Sequence, residues 1–522
     1  MLWLALHLNA LPLDALLASL PADLRESSTT TAARCVVERR RVLHADARAC
    51  AAGIRIGMST ASAAALVPGL QLLQRDVTRE ASLVERLALI TSPYSPSLVL
   101  EPQGVLLEVS SCLRLFGGVQ ALLRSLRQRV AESGVDRLQM ALAPSAQGAT
   151  LLAQLAPIGR RRSRDASPAK TKPFSSSSWP QQIQQRLDAL PLAPVLAAWQ
   201  CPPRTIEFLH GIGCRTLADV RALPRTGLQR REGGALLQRL AETYGEAPDP
   251  RPWFTPPPRF EMGLELLERA DDAGRLVFAA QRLVQPLAGW LAQQWLAASR
   301  ITLRLRHETS RRHVLPDTVL RIGLADATRD PKQIGLLLSE RLQRLKLPGP
   351  VYALTLGVEE CVSHAGKASV LWNEDGSATG SGLLALIDRL GARLGPERVQ
   401  RVALQADHRP ELATRVQPAF EVDAAQPGLH RPQPETVPGA GSARPTWLLP
   451  QPLRLQEQAG RPLHGGPLRL RSRAERIEAG WFDGEPVSRD YHLAEGSDHR
   501  WRWIFRERRS DGAQWYLHGL FG

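Results

Sequence analysis

Met1 to Asp14, MLWLALHLNALPLD, sets Leu2, Leu4, Leu6 and Leu8 in alternation with Trp3, Ala5, His7 and Asn9, the period of a short apolar β-strand. Leu13 to Leu20 follows as a short helix, and Cys35 to Val42 reads as a second strand. Ala45 to Gly57 leads into an Ala-rich helix, Ser59 to Leu66, stopped by Pro68 and Gly69. Glu80 to Ile90 has helical spacing, then come strands at Ser97 to Glu101 and Gly104 to Val109, a helix at Ala121 to Glu132, a strand at Leu138 to Ala143 and a helix at Ser145 to Leu155. Strands and helices in that order predict an antiparallel sheet carrying crossover helices.

The chain has 522 residues, room for about three or four domains, and is 43% hydrophobic with 40 Gly and 40 Pro, so it is globular but segmented. Its 66 Lys+Arg against 51 Asp+Glu give +15, which favours a polyanionic partner such as nucleic acid. Lys170, Lys172, Lys332, Lys346 and Lys367 are the only lysines, so no lysine chemistry is available before residue 170. Six scattered cysteines without a C-x-x-C pair point to neither zinc nor a disulfide framework, and a reducing cytoplasm fits them. The opening apolar run is too short to span a membrane and is soon broken by Pro12.

Three stretches carry a more specific likeness: HADARACAAGIRIGMSTASAAALVP (44–68), SPSLVLEPQGVLLEVSSCLRLFGG (95–118) and MALAPSAQGATLLAQLA (140–156). Their spacing resembles the palm and fingers of Y-family translesion DNA polymerases, and more closely the ImuB group, polymerase-like subunits of a bacterial DNA-damage mutasome. The resemblance runs over nearly the whole chain and implies an α+β multidomain fold. It assigns 1–22 and 77–158 to a palm, 23–76 to fingers, 159–182 to a basic linker, 183–247 to a helical thumb, 248–258 to a Pro-rich tether, 259–418 to a little-finger-like domain, 419–446 to a second linker and 447–522 to a small Trp-rich C-terminal module.

A polymerase needs carboxylates to hold two Mg²⁺ ions against the attacking and leaving oxygens. In active Y-family enzymes one aspartate ends the first strand and an Asp-Glu pair sits in the turn between the two central strands. Matching the strands puts His7 at the first site and Gln103 and Gly104 at the pair, so all three acids are missing. Asn9 is a weak neutral ligand; Glu101 precedes the turn by two residues and Glu108 lies four beyond Gly104. On the nucleotide side, Ala45 replaces a tyrosine, Arg48 is kept, and Gln154 stands on a lysine-free helix where relatives carry a lysine. Arg48 is left to touch a phosphate or to anchor the fingers. The resemblance therefore implies a non-enzyme without metal or other cofactor; the alternative is a divergent but active translesion polymerase.

Thr205 to Leu223 (TIEFLHGIGCRTLADVRAL) reads as a helix-hairpin-helix, in which Gly211 and Gly213 would let backbone N–H groups face a phosphate, with Arg225, Arg230 and Arg231 close behind. Ser299 to His307 is a strand burying Ile301, Leu303 and Leu305 and turning Thr302, Arg304 and Arg306 outward, a pattern suited to phosphate tracking or to an ordinary solvated face. Strands at Thr318 to Leu324, Val351 to Glu359 and Val399 to Gln405, with helices at Asp330 to Leu345 and Gly382 to Leu394, complete one α+β domain ending near Pro418. Leu371 and Trp372 match the apolar pair of the sliding-clamp peptide that ImuB proteins carry, with Ala368 in place of its glutamine; Leu520-Phe521 is a second, weaker match. GWFDGEPVSRDY (480–491) and WYLHGLFG (515–522) resemble the ImuB C-terminal region associated with partner recruitment, although tryptophans here also serve a self-contained β core. The implied partners are primer-template DNA, a sliding clamp, a RecA-like accessory subunit and an error-prone C-family polymerase, in the cytoplasm at the nucleoid.

Overall fold

The computed structural model describes residues 1–18, 33–135, 138–155, 179–232, 234–308, 315–364, 377–419, 444–508 and 514–522. They form two compact units, Met1–Trp372 and Asn373–Gly522.

The first strand, β1 (Trp3–Leu8), is central to an antiparallel sheet of order β5-β6-β1-β7, with β5 Leu98–Glu101, β6 Gly104–Glu108 and β7 Leu138–Ala143. Its two faces have different partners. Leu2, Leu4, Leu6 and Leu8 pack with Leu83, Leu87 and Ile90 of the helix Val77–Thr91 and Leu122 and Leu126 of the helix Val119–Glu132. Trp3 and Ala5 meet Ala149 and Leu152 of the helix Ala146–Gln154 and, beyond it, thumb residues such as Leu196 and Trp199. Burial of each leucine stabilises the sheet by about 2 kcal/mol. Local chemistry ends these helices: Asp76 accepts from the Arg79 amide and Ser145 from the Gly148 amide as N-caps.

The stretch predicted as one strand, Cys35 to Val42, is a hairpin. β2 (Arg34–Glu38) and β3 (Arg41–Ala45) flank Arg39 and Arg40, both in the left-handed region with φ 48° and 64°. Such a two-residue turn normally uses Asn or Gly, so the sequence carried no turn signal there. β4 (Gln71–Gln74) adds in parallel to β2 and completes a three-stranded sheet.

The thumb is helical from Trp179 to Tyr244. After it, β8 (Glu261–Ala270), β9 (Leu296–His307), β10 (Thr318–Thr328) and β11 (Val351–Ser363) form a sheet of order β10-β9-β11-β8. The helices Ala273–Gln293 and Pro331–Gln343 connect β8 to β9 and β10 to β11, two interlocked split βαβ units. The long helix also packs on the palm. A Cβ on Gly289 would overlap the Leu89 carbonyl oxygen, and Ser92 Oγ donates to the carbonyls of Leu89 and Gly289 at 2.8 and 3.0 Å. An Arg79–Glu265 ion pair and the Arg282 guanidinium on the Ala18 carbonyl add polar ties.

The expected closing strand does not join these four. β12 (Gln400–Leu404) pairs with β13 (Thr414–Pro418) in a separate ribbon within the second unit. The C-terminal sheet there has order β14-β21-β20-β19-β17, with β18 on β19, where β14 is Trp447–Arg454, β17 Arg469–Leu470, β18 Glu475–Ala479, β19 Val487–Glu495, β20 Trp501–Glu507 and β21 Trp515–Leu520; β15 (Gln456–Gln458) and β16 (Arg461–Leu463) pair in a two-stranded ribbon. Its core stacks Tyr491 on Trp503 at 4.1 Å, beside Phe505 and His518. Tyr491 Oη and His518 Nδ1 share a 2.8 Å hydrogen bond, and burial lowers the His518 pKa to about 4. Leu520 lies in β21 (Trp515–Leu520) opposite Trp447 and Arg502, and Phe521 packs against the aromatic core. Leu520 is thus held at the end of a sheet strand, with Phe521 directly after it.

Candidate nucleic-acid interface

β-ladder register places four residues side by side across the end of the palm sheet: Glu101 faces Gly104, Gly104 faces His7, and His7 faces Gln139. Gln103 closes the same corner, its carbonyl accepting from the Leu8 amide at 2.8 Å. The three positions picked out from the sequence, His7, Gln103 and Gly104, thus do converge.

Their chemistry does not fit a pair of Mg²⁺ ions, which take oxygen ligands and above all carboxylates. His7 is buried, and desolvation lowers its pKa, which favours a neutral imidazole. Gly104 is where the backbones of β6 and β1 come closest: a Cβ there would overlap the Leu6 carbonyl oxygen and stand 3.0 and 3.1 Å from Leu6 C and His7 Cα. Glu101 is held by Arg251, Nη1 to Oε1 2.6 Å, and burial raises its pKa against the pull of that guanidinium. Glu108 sits opposite Trp3, roughly 14 Å down the strand at about 3.4 Å per residue, and accepts from the Leu2 and Ser110 amides at 3.2 and 3.1 Å. Among the described residues, no group of three or more His, Cys, Asp or Glu side chains is arranged to hold a metal ion.

Sequence reasoning missed what binds this corner. Arg251 also donates to Asp249 Oδ1 and Oδ2 at 2.7 and 2.9 Å and to Gln147 Oε1 at 2.8 Å. Next to it Trp253 stacks on Trp3 at 5.8 Å with the planes 6° apart, the Phe254 amide donates to the Leu98 carbonyl at 2.7 Å, and Trp290 Nε1 donates to the Pro257 carbonyl at 2.8 Å. The Pro-rich tether is thus a strap fastened along the palm. An Arg and a Trp-Phe pair inside a proline-rich run were the available signal.

The residues assigned to nucleic acid are spread over the fingers, the thumb and β9. Arg48 is half-buried in the first turn of the helix Ala47–Ala51, its amide capped by Asp46 at 3.1 Å, and Ala45 is buried. Gln154 ends the helix Ala146–Gln154.

The thumb hairpin forms as predicted, with Gly213 at φ 88° between the helices Pro203–Gly211 and Leu217–Ala222. Its amides are nonetheless taken. Those of Ile212, Gly213 and Cys214 donate to the carbonyls of Phe208, His210 and Leu209 at 3.0 to 3.1 Å. Those of Arg215 and Thr216 both donate to Asp219 Oδ2 at 2.8 Å, which lowers the Asp219 pKa. A phosphate at the second helix would have to displace that carboxylate. Arg225 pairs with Glu246 at 2.5 Å, and Arg230 is exposed on the same helix, Arg225–Glu232.

β9 matches the sequence pattern: Ile301, Leu303 and Leu305 are buried, while Arg304 and Arg306 are exposed. Across the sheet Arg304 lies between Val319 and Thr355, and Thr302 lies between Arg321 and Gly357. Leu371 and Trp372 lie outside the described residues. No helix among the described residues is long and apolar enough to cross a membrane.

Residues 14–154 match the model of the impB/mucB/samB family. Protein ImuB of Caulobacter vibrioides, from two strains, is 28% identical over 500 residues, which covers 90% of this chain and 100% of that protein. Among solved structures, a ternary complex of Dbh covers 69% of this chain and 99% of its own at 15% identity, TM-score 0.37. DinB from Sulfolobus solfataricus covers 70% and 100% at 14% identity, TM-score 0.36. Residues 14–154 thus carry the impB/mucB/samB family domain, and along nine-tenths of its length the chain is similar to Protein ImuB.

Proposed function

We propose that this chain is a non-catalytic, Y-family polymerase-like adaptor that binds primer-template DNA during damage-induced translesion synthesis at the nucleoid. It links a sliding clamp, a RecA-like accessory subunit and an error-prone C-family polymerase. The observation that carries the reading is the corner of the palm sheet, where His7, Gln103 and Gly104 converge on an intact ladder while Glu101 and Glu108 are bound elsewhere. The scaffold is kept where the metal-binding chemistry is lost. The +15 charge supplies the attraction to DNA, and the 28% identity to Protein ImuB over nine-tenths of the chain supports the assignment.

DNA contact on this reading goes through guanidinium groups, chiefly Arg304 and Arg306, with Arg48, Arg225 and Arg230 beside the thumb and fingers. Clamp binding falls to the segment holding Leu371 and Trp372. Affinity for a primer-template duplex is expected to fall steeply between about 50 and 200 mM salt. Arg304→Ala/Arg306→Ala should weaken binding uniformly across sequences and reduce the slope of log K against log salt by about 2. An unchanged slope would remove β9 from the interface.

A further inference from the structure

Two large aromatic side chains in the second unit are held out in solvent by a rigid loop. Trp481 is 73% and Phe482 68% exposed, and their rings meet edge to face at 6.0 Å and 87°. The loop between β18 (Glu475–Ala479) and β19 (Val487–Glu495) is fixed from below by Arg409, whose side chain is 5% exposed. Arg409 forks onto Asp407 at 2.7 Å, pairs with Asp483 and donates to the Glu485 carbonyl at 3.3 Å. The Asp407 and Asp483 carboxyls are both held below their usual range by that guanidinium. Gly480 and Gly484 take φ 81° and 82°, and a Cβ on Gly480 would overlap the Glu485 carbonyl oxygen and stand 2.9 Å from Arg409 Nη1.

The Arg409 guanidinium lies 5.8 Å from the Phe482 ring centroid, but a folded chain gains little more on its own from displaying a Trp-Phe pair in water. An interface does, because aromatic anchors whose loop is already ordered bind at a smaller entropy cost. The charge around the pair selects the partner. Arg409 is matched by Asp407 and Asp483, and Glu485 is exposed beside them, so the loop is locally acidic in a chain of +15. That sign repels a phosphate backbone and suits basic side chains.

We infer that Trp481 and Phe482 are the anchor by which the C-terminal module docks into an apolar, basic-rimmed pocket on a protein partner. The inference rests on the adaptor reading and names the residues by which that module would work. The pair is exposed and Arg409 keeps its carboxylate partners, so Trp481→Ala/Phe482→Ala should leave the circular dichroism of the full chain unchanged and lower its thermal melt only slightly, and Trp481→Ala alone, which spares the Arg409–Phe482 contact, should leave both unchanged.

The test measures binding of the wild-type chain and of this double variant to three probes: the purified RecA-like accessory subunit, the purified C-family polymerase, and a primer-template duplex. The expected result is that wild type binds at least one of the two proteins and the double variant binds it at least about tenfold more weakly, with DNA affinity unchanged. Wild-type binding that the double variant retains overturns the anchor alone. A wild-type chain that binds neither protein overturns the anchor and the adaptor reading together. Loss of DNA affinity in the variant, or loss of a wild-type self-association, assigns the pair to bases or to a second copy and also overturns the inference.

Discussion

Gly104→Ala is expected to lower the unfolding free energy of the first unit by about 3 kcal/mol. The new methyl group would overlap the Leu6 carbonyl oxygen, which belongs to the backbone of the central strand and cannot rotate away as a side chain can. The β1–β6 ladder must open at Gly104 and His7, and with it the burial of Leu6 and Leu8. Chemical denaturation of the full chain measures the change; a loss below about 1 kcal/mol would show that the strands part easily. The same geometry decides a more ambitious experiment. A His7→Asp/Gln103→Asp/Gly104→Glu variant puts three acids back in sequence, yet the close approach at position 104 has no room for the third. It is expected to be destabilised and to extend no primer. A well-folded triple variant with metal-dependent extension would mean that only side chains, and not the backbone, had departed from an active site.

Arg251→Ala should cost about 3 kcal/mol, the scale for removing one partner from a largely buried ion pair. Its side chain is 21% exposed and that of Glu101 17%, so water screens the pair only in part. Without the guanidinium, Glu101 and Asp249 face each other with no cation, and the strap loses its bonds to Gln147 as well. The deficit should shrink as pH is lowered into the carboxylate range. Glu101 already has a raised pKa in the fold, and a raised pKa contributes stability at low pH that is lost as pH rises through it. Thermal melts of wild type and variant at neutral and mildly acidic pH read both effects. Equal deficits at the two pH values would contradict the electrostatic explanation, and Arg251→Lys should recover part of the loss because it keeps the charge without the fork.

What could be read from the chain and what could not divide along physical lines. Period-2 and helical patterns belong to single elements, so the Leu2-to-Leu8 alternation, the buried Ile301, Leu303 and Leu305 and the exposed Arg304 and Arg306 were all legible. The convergence of His7 with Gln103 and Gly104 followed from matching strands, because register fixes neighbours once the strands are known. The Arg39-Arg40 turn was invisible because both residues sit in a backbone region that arginine rarely visits. The capture of the Arg215 and Thr216 amides by Asp219 was encoded as a Thr-x-x-Asp capping box, yet the glycine pattern next to it drew the phosphate reading. Arg251 and Glu101 are 150 residues apart, and no local pattern reports such a pairing. β12 was assigned to the wrong sheet for a related reason: an alternating strand shows its period but not its partner.

The central claim is that the palm scaffold persists without polymerase chemistry, and primer extension by the purified full chain tests it most directly. A primer-template duplex, all four deoxynucleoside triphosphates and either Mg²⁺ or Mn²⁺ are supplied with no second polymerase present. The account predicts DNA binding with no primer extension under either metal. Template-directed extension that disappears on Glu101→Gln or Glu108→Gln would contradict it.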